Sequence, residues 1–327
     1  MNKLYEREGC SECKDLEGFC RQKCDVAIKR ANSTIDVEEI LNELSCLYEI
    51  NLHAFENCYI FGISQDPETK AYLIVLPFAE NGDLRSYLLK NPEMKWRNKL
   101  ILIYRALETL CLLHDDGYVH RDMHSGNILC KNGAKAEIAD FGLSLSLKGH
   151  TKESGIYGVL PYVAPEVLCG SQYSQASDIY GIGIVLSEVA NGGIPVFSGV
   201  KFDSNLAMSI CQGLRPSIPD GTPKEYVELV KQCWDADPKK RPTARQISEQ
   251  IKNFWSNAKC LAKFDQADGI AKRECANRKL DSFDPIDPSK THTSTLLKFD
   301  NLPEPTNSSQ IFSMELQISS NLDFDYD

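Results

Sequence analysis

No stretch of this 327-residue chain is apolar for long enough to cross a membrane as a helix. The longest strongly apolar run, Ala71 to Ala79, is about half the required length and contains Pro77. The opening residues, Met1-Asn2-Lys3-Leu4-Tyr5-Glu6, lack the apolar centre of a secretory signal. Basic residues are in deficit: 36 Lys and Arg stand against 46 Asp and Glu, a net charge of −10. A general binder of nucleic acid or of anionic membrane needs a basic surplus on at least one face, so the balance argues against both. The 13 cysteines are odd in number and mostly single within apolar patterns, which does not make a disulfide framework. Reduced thiols in the cytosol or nucleus are the expectation. What the chain does have is 42% hydrophobic residues and length for about two domains or lobes.

Four cysteines cluster near the start, Cys10, Cys13, Cys20 and Cys24. Each close pair offers two sulfurs to one tetrahedral ion, so residues 1–24 are a candidate zinc knuckle, the alternative being four reduced thiols. Asp25-Val26-Ala27-Ile28-Lys29 then reads as a strand. Ile40, Leu41, Leu44 and Leu47 recur at helical spacing behind Asp36 and Glu39, a capping box. Cys58 to Ile63 and Ala71 to Leu76 are two further strands around the turn Gln65-Asp66-Pro67-Glu68. After Asn81-Gly82 the periodicity is helical: Leu100 through Leu113, Ser177 to Val189, Tyr226 to Trp234 and Ala244 to Trp255. The expectation is an α+β chain, a small β-rich lobe over 25–79 and a mainly helical lobe over 80–257. Residues 258–327 read as a helix from Ala258 to Leu280 followed by a disordered acidic tail, since six acidic and no basic residues follow Lys298.

The densest chemistry lies in His120-Arg121-Asp122-Met123-His124-Ser125-Gly126-Asn127. Ile128 to Cys130, Asn132-Gly133 and Ala136 to Ala139 predict a hairpin that returns Asp140 to the end from which Asn127 enters. Asp122, Asn127 and Asp140 are thereby brought together, and two carboxylates with an amide oxygen suit Mg2+.

This segment closely resembles the catalytic loop and metal-binding motif of eukaryotic protein kinases. The match extends to Val26-Ala27-Ile28-Lys29, to Ala164-Pro165-Glu166, to Asp178-Ile179-Tyr180-Gly181, and to Cys233-Trp234 through Arg241, in kinase order and spacing. The resemblance implies a bilobal kinase fold that transfers the ATP γ-phosphate to a protein hydroxyl. By it, Asp122 is the catalytic base, Asn127 and Asp140 hold Mg2+, and Lys29 reaches the ATP phosphates with Glu43 as its ion-pair partner. Arg121 organises the activation segment, and the arginine of the late motif pairs with Glu166. Beyond Leu76 as gatekeeper, the Pro77 carbonyl and Ala79 N–H would meet adenine, with Ala27 and Leu129 as its apolar faces; Pro77 keeps its carbonyl and loses only an N–H.

The chain departs from the family in carrying no Gly-x-Gly-x-x-Gly: only Gly9 and Gly18 precede Lys29. Losing that backbone lid over the phosphates would weaken nucleotide binding and expose a strand edge. His124 and Val159 replace the lysine and threonine usual in Ser/Thr kinases. The text looks most like the tyrosine-kinase-like group, in particular expanded fungal families, which favours Ser/Thr transfer with Tyr as an alternative, and His124 is expected to hydrogen-bond near the γ-phosphate. Two other functions stay open. One is a pseudokinase scaffold that binds partners through the Cys cluster or acidic tail. The other is a small-molecule kinase, compatible with His120, Asp122, His124 and Asn127 but disfavoured by Ala164-Pro165-Glu166 with Arg241. A protein substrate and ATP are the expected partners.

Overall fold

Val26-Ala27-Ile28-Lys29-Arg30, with β-branched Val26 and Ile28 at alternate positions, forms strand β1 (Val26–Arg30). It pairs antiparallel with β3 (Tyr72–Pro77), whose other side carries β2 (Gly62–Gln65), giving the order β1-β3-β2. The register sets Lys29 opposite Ile74 and Ala27 opposite Leu76. Ile74, on the central strand, is fully buried, while Ile63 on the edge strand β2 is 56% exposed. The computed structural model describes residues 25–30, 41, 44–46, 61–132, 134–146, 155–277, 294–299 and 301–307. Cys10, Cys13, Cys20, Cys24 and Glu43 lie outside them, as does the start of the strand expected from Cys58. Leu41 and residues 44–46 are helical, as the leucine spacing predicts.

The helical lobe starts at Asp83, whose carboxylate accepts the Ser86 N–H and caps α1 (Leu84–Lys90). α2 (Trp96–Asp115) buries Leu100, Ile103, Leu107, Leu110 and Leu113 along the stripe that the periodicity marks. Short pairs follow: β4 (Tyr118–Val119) with β7 (Leu145–Ser146), and β5 (Ile128–Lys131) with β6 (Lys135–Ile138). After β8 (Ile156–Gly158) and the short α3 (Pro165–Leu168) comes α4 (Gln175–Ala190), started by a reciprocal Ser174–Ser177 capping box. α4 is buried on nearly every side, as its apolar text requires of an interior helix. α5 (Ser204–Cys211), α6 (Lys224–Cys233) and α7 (Ala244–Ser256) complete the core around it.

The packing does not stop at residue 257. α8 (Ala258–Asn277) buries Phe264 and Ala267, sets Phe264 edge-on to Trp96 at 5.5 Å, and accepts the Trp96 N–H at Asp268. Nor is all of the chain beyond 280 apart from the body. A strand that the sequence does not announce, β9 (Thr295–Leu297), pairs antiparallel with β8, and Phe299 and Leu302 pack against the core. Among the described residues no helix is long and apolar enough to cross a membrane.

Candidate active site

The loop between β4 and β5 is held by one buried carboxylate. Asp178, in the first turn of α4, accepts the His120 N–H at 2.8 Å on Oδ2 and the Arg121 N–H at 2.9 Å on Oδ1. His114 Nε2 lies 2.9 Å from the same Oδ2. Arg121 needs this support because its backbone is left-handed, φ 73°, a conformation costing a non-glycine residue on the order of 1 kcal/mol. One turn along α4, a Cβ on Gly181 would come within 2.7 Å of the Met123 carbonyl oxygen, so the loop approaches the helix more closely than any side chain would allow. The His120 ring is fully buried, accepts the Asp122 N–H on Nδ1 at 3.3 Å, and reaches the Ala139 carbonyl through Nε2 at 3.2 Å. Burial pushes its pKa down, which suits the neutral tautomer these bonds require.

Asp122 is 8% exposed. Its Oδ2 accepts from the Asn127 amide at 3.2 Å and from the Ser294 hydroxyl at 2.7 Å, and the same Asn127 amide also bonds the Asp122 carbonyl at 2.9 Å. Burial by itself would raise the pKa of this carboxyl; the adjacent His124 ring, then Ser294 and His120, more than offset that and hold it down at about 2. His124 Nδ1 accepts the Gly126 N–H at 3.1 Å, capping the short turn Ser125–Asn127, and its Nε2 lies 3.6 Å from Asp122 Oδ2. This contact is longer than a hydrogen bond, so His124 acts on Asp122 through its charge distribution and by packing.

The β5–β6 hairpin returns as its turn predicts. Ala139 N–H donates to the Asn127 carbonyl at 2.8 Å, which sets Asp140 beside Asn127. Asp140 is left-handed, φ 65°, and accepts from Lys29 Nζ at 2.6 Å, which joins the small sheet to the hairpin. Pro77 ends β3 opposite Val26, and Ala79 is buried two residues later. The linker that follows is sewn to β5 by Asn81 N–H to the Cys130 carbonyl and Cys130 N–H to the Gly82 carbonyl, with partly buried Leu129 bridged to Asp83. Ala27 stays on β1, paired with Leu76. Lys29, Asp122, Asn127 and Asp140 are thus linked by hydrogen bonds, Arg121 and His124 flank them, and Pro77, Ala79 and Leu129 lie along the linker. Among the described residues no three His, Cys, Asp or Glu side chains cluster as a metal site by themselves. A carboxylate and an amide oxygen are nonetheless hard donors of the kind Mg2+ takes when phosphate completes its shell.

Residues 13–251 match the family model for protein tyrosine and serine/threonine kinases, well over half of the chain. The chain belongs to that kinase family. A protein of Acanthamoeba polyphaga mimivirus named as a serine/threonine-protein kinase/receptor is 35% identical over 190 residues, covering 58% of this chain and 11% of that protein. A Dictyostelium discoideum protein named as a serine/threonine-protein kinase is 29% identical over 233 residues, 70% of this chain and 14% of its own length. A LIM domain-containing serine/threonine-protein kinase of the same organism is 30% identical over 235 residues, 70% of this chain and 36% of that protein. This kinase chain therefore aligns with only a small part of the first of these relatives, about a tenth of its length.

Within the kinase domain, Arg241 meets Glu166 through two bonds of 2.7 Å, the pairing that the resemblance implies. A second ionic set has no counterpart in the sequence reading. Arg85 Nε donates to Glu188 at 2.6 Å, Arg85 Nη2 to the Tyr162 hydroxyl at 2.6 Å, and that hydroxyl to Glu188 at 2.7 Å, all three side chains being buried. This ties α1 and α4 to the segment before Ala164. The available signal was Glu188 itself, a carboxylate inside an otherwise apolar helix, which burial obliges to find a partner. The Ser294 hydroxyl on Asp122 had no signal at all, lying 172 residues away in polar text.

Proposed function

We propose that the chain is an ATP-dependent protein kinase of the tyrosine-kinase-like group, acting on serine and threonine hydroxyls. One observation carries the reading: an ionised, nearly buried Asp122 held by Asn127 faces a hydroxyl at 2.7 Å, with Asp140 bonded to Lys29 at the end of the adjoining hairpin. In this reading Asp122 accepts the proton of the substrate hydroxyl as its oxygen attacks the γ-phosphorus. Lys29 leaves Asp140 for the α- and β-phosphates and takes Glu43 as its second partner. Asn127 and Asp140 would hold Mg2+, which neutralises phosphate charge when bound. The Pro77 carbonyl and Ala79 N–H receive adenine between Ala27 and Leu129. His124 positions Asp122, and Arg121, whose guanidinium lies 4.8 Å over the Tyr173 ring, steadies the activation segment because the Tyr173 hydroxyl donates to the Tyr157 carbonyl at 2.5 Å. A structural Zn2+ on Cys10, Cys13, Cys20 and Cys24, and partner docking through that segment or the acidic tail, rest on spacing and charge.

The test is phosphate transfer from labelled ATP with Mg2+ to protein and peptide substrates. Asp122→Asn is expected to lower the rate by about 10²–10⁴-fold with the fold retained, the usual contribution of a positioned base. Equal labelling by both proteins would overturn the assignment. A fluorescent-nucleotide titration separates this reading from the scaffold, which predicts no binding at millimolar ATP, and labelling of small alcohols in place of peptides would point to a small-molecule kinase.

A further inference from the structure

The segment 294–307 lies across the kinase domain in the manner of a bound peptide. Its first residue touches the site: the Ser294 hydroxyl donates to Asp122 Oδ2 at 2.7 Å. The next three form β9 against β8, with Thr295 opposite Gly158, Leu296 opposite Tyr157 and Leu297 opposite Ile156. β8 is fixed from behind by the Tyr173 hydroxyl on the Tyr157 carbonyl. Leu296 covers Gly155, where a Cβ would collide with its side chain at 2.6 Å. Leu297, Phe299 and Leu302 pack against the apolar core of the large lobe. Beyond them the segment is anchored a second time: the Thr306 N–H donates to the Cys211 carbonyl at 2.9 Å, and Asn307 exchanges bonds with the Ala236 N–H at 2.9 Å and the Asp235 carboxylate at 3.0 Å. Strand addition of this kind is a general mode of peptide recognition, main-chain bonds supplying affinity and side-chain pockets selectivity.

We infer that residues 294–307 are this kinase's own substrate, bound in cis, and that Ser294 is a self-phosphorylation site whose modification opens the substrate groove. The inference rests on the reading of Asp122 as the catalytic base. In the step, Ser294 Oγ forms a bond to the γ-phosphorus of ATP as the bond from that phosphorus to the β,γ-bridging oxygen breaks. ADP leaves with the electron pair, and the Ser294 proton passes to Asp122 and then to water. The product carries roughly −1.5 to −2 charge where the hydroxyl had faced a carboxylate, so like-charge repulsion expels it and releases β9. Unmodified, the segment competes with other substrates at the high effective concentration of a tethered ligand. It also states the substrate class: a protein serine followed in extended conformation by leucines two and three residues on and by an aromatic residue at the fifth, the pattern of Ser294, Leu296, Leu297 and Phe299.

The full-length chain is incubated with ATP and Mg2+ alone and with an added peptide of the sequence Ser-Thr-Leu-Leu-Lys-Phe, and phosphosites are mapped by mass spectrometry. Phosphate is expected on Ser294, at a first-order rate that does not change with enzyme concentration. Leu297→Asp in a Ser294→Ala background, where no phosphate can expel the segment, is expected to lower the KM for the added peptide by roughly tenfold relative to Ser294→Ala alone, with little change in kcat, the effect of removing a tethered competitor. A peptide that is labelled while Ser294 is not, or Ser294 labelling whose rate rises with enzyme concentration, overturns the in-cis substrate and leaves the kinase assignment standing. No transfer to either acceptor removes the kinase assignment, and this inference with it. A measurement free of activity is hydrogen exchange: Ser294→Glu is expected to remove amide protection in Ile156–Gly158 and Thr295–Leu297 that Ser294→Ala retains, and equal protection in the two variants would overturn the charge-driven release.

Discussion

The helical lobe carries exposed ion pairs such as Arg245 with Asp115 and Lys263 with Glu225, but the two that brace its interior are buried: Arg85 with Glu188 and Tyr162, and Arg241 with Glu166. In the small lobe the described pairs lie at the surface, Arg30 with Asp66 and Lys29 with Asp140. The same chemistry does different things in the two places. A buried pair cannot be dissolved without stranding a charge away from water, so it locks the elements it joins. An exposed pair exchanges with water at little cost, which on the proposed reading frees Lys29 to move between Asp140 and an incoming phosphate. Rigidity is placed under the catalytic loop and freedom where a nucleotide would enter.

The contrast breaks most sharply at Arg85. Arg85→Met leaves Glu188 and Tyr162 buried without the guanidinium, and burial already raises both of their pKa values. A loss of about 3–5 kcal/mol is expected in denaturant unfolding. A loss below about 1 kcal/mol would put this pair in the exposed class. Gly181→Ala comes next: its methyl meets the Met123 carbonyl, and a destabilisation of up to about 3 kcal/mol is expected, with kcat reduced because the loop bearing Asp122 must shift.

Asp122 supplies the pH dependence. Its carboxyl titrates at about 2 in the folded chain against an ordinary 3.8, so the folded state binds this proton less tightly than the unfolded one. The contribution, about 2 kcal/mol, is fully present above the ordinary value and is lost as pH falls through the folded one. Denaturant midpoints taken down that range should decline in the natural chain, with a shallower slope in Asp122→Asn. The smallest stability effect is expected at Lys29, half-exposed in its pair: Lys29→Met should change unfolding by less than about 1 kcal/mol while lowering phosphate transfer by more than tenfold. Comparable losses in both would mean that the small-lobe pair is structural.

Much of the large lobe is legible in the sequence. The α2 stripe, the apolar α4 and the Thr243-started α7 announce themselves because burial on one face leaves a 3.6-residue rhythm. The hairpin from Ile128 to Ile138 was legible because Asn132-Gly133 is a local turn signal, and that turn alone returns Asp140 to Asn127. In the small sheet β1 and β3 were read with their ends shifted by a residue, while β2, expected to end at Ile63 with Gln65 in the turn, runs from Gly62 to Gln65, since an edge strand carries little pattern. The Arg85 network was hidden because Arg85 reads as an ordinary exposed charge until α4 closes over it.

By itself the sequence determined which residues become near neighbours: His120 through Asp140, with Lys29 upstream and the Glu166 and Arg241 motifs behind. These depend on contacts within one loop or hairpin, or on residue types whose spacing is set by the turns between them. Tertiary structure alone decided that Asp178 holds Arg121 in a left-handed backbone, that Arg85 is buried, and that Ser294 faces Asp122. The reason is physical. A local turn or an amphipathic face imposes a periodic composition that can be read along the chain, whereas a long-range pairing is selected by the shape and unsatisfied polar groups of the surface it meets, which exist only once that surface has folded.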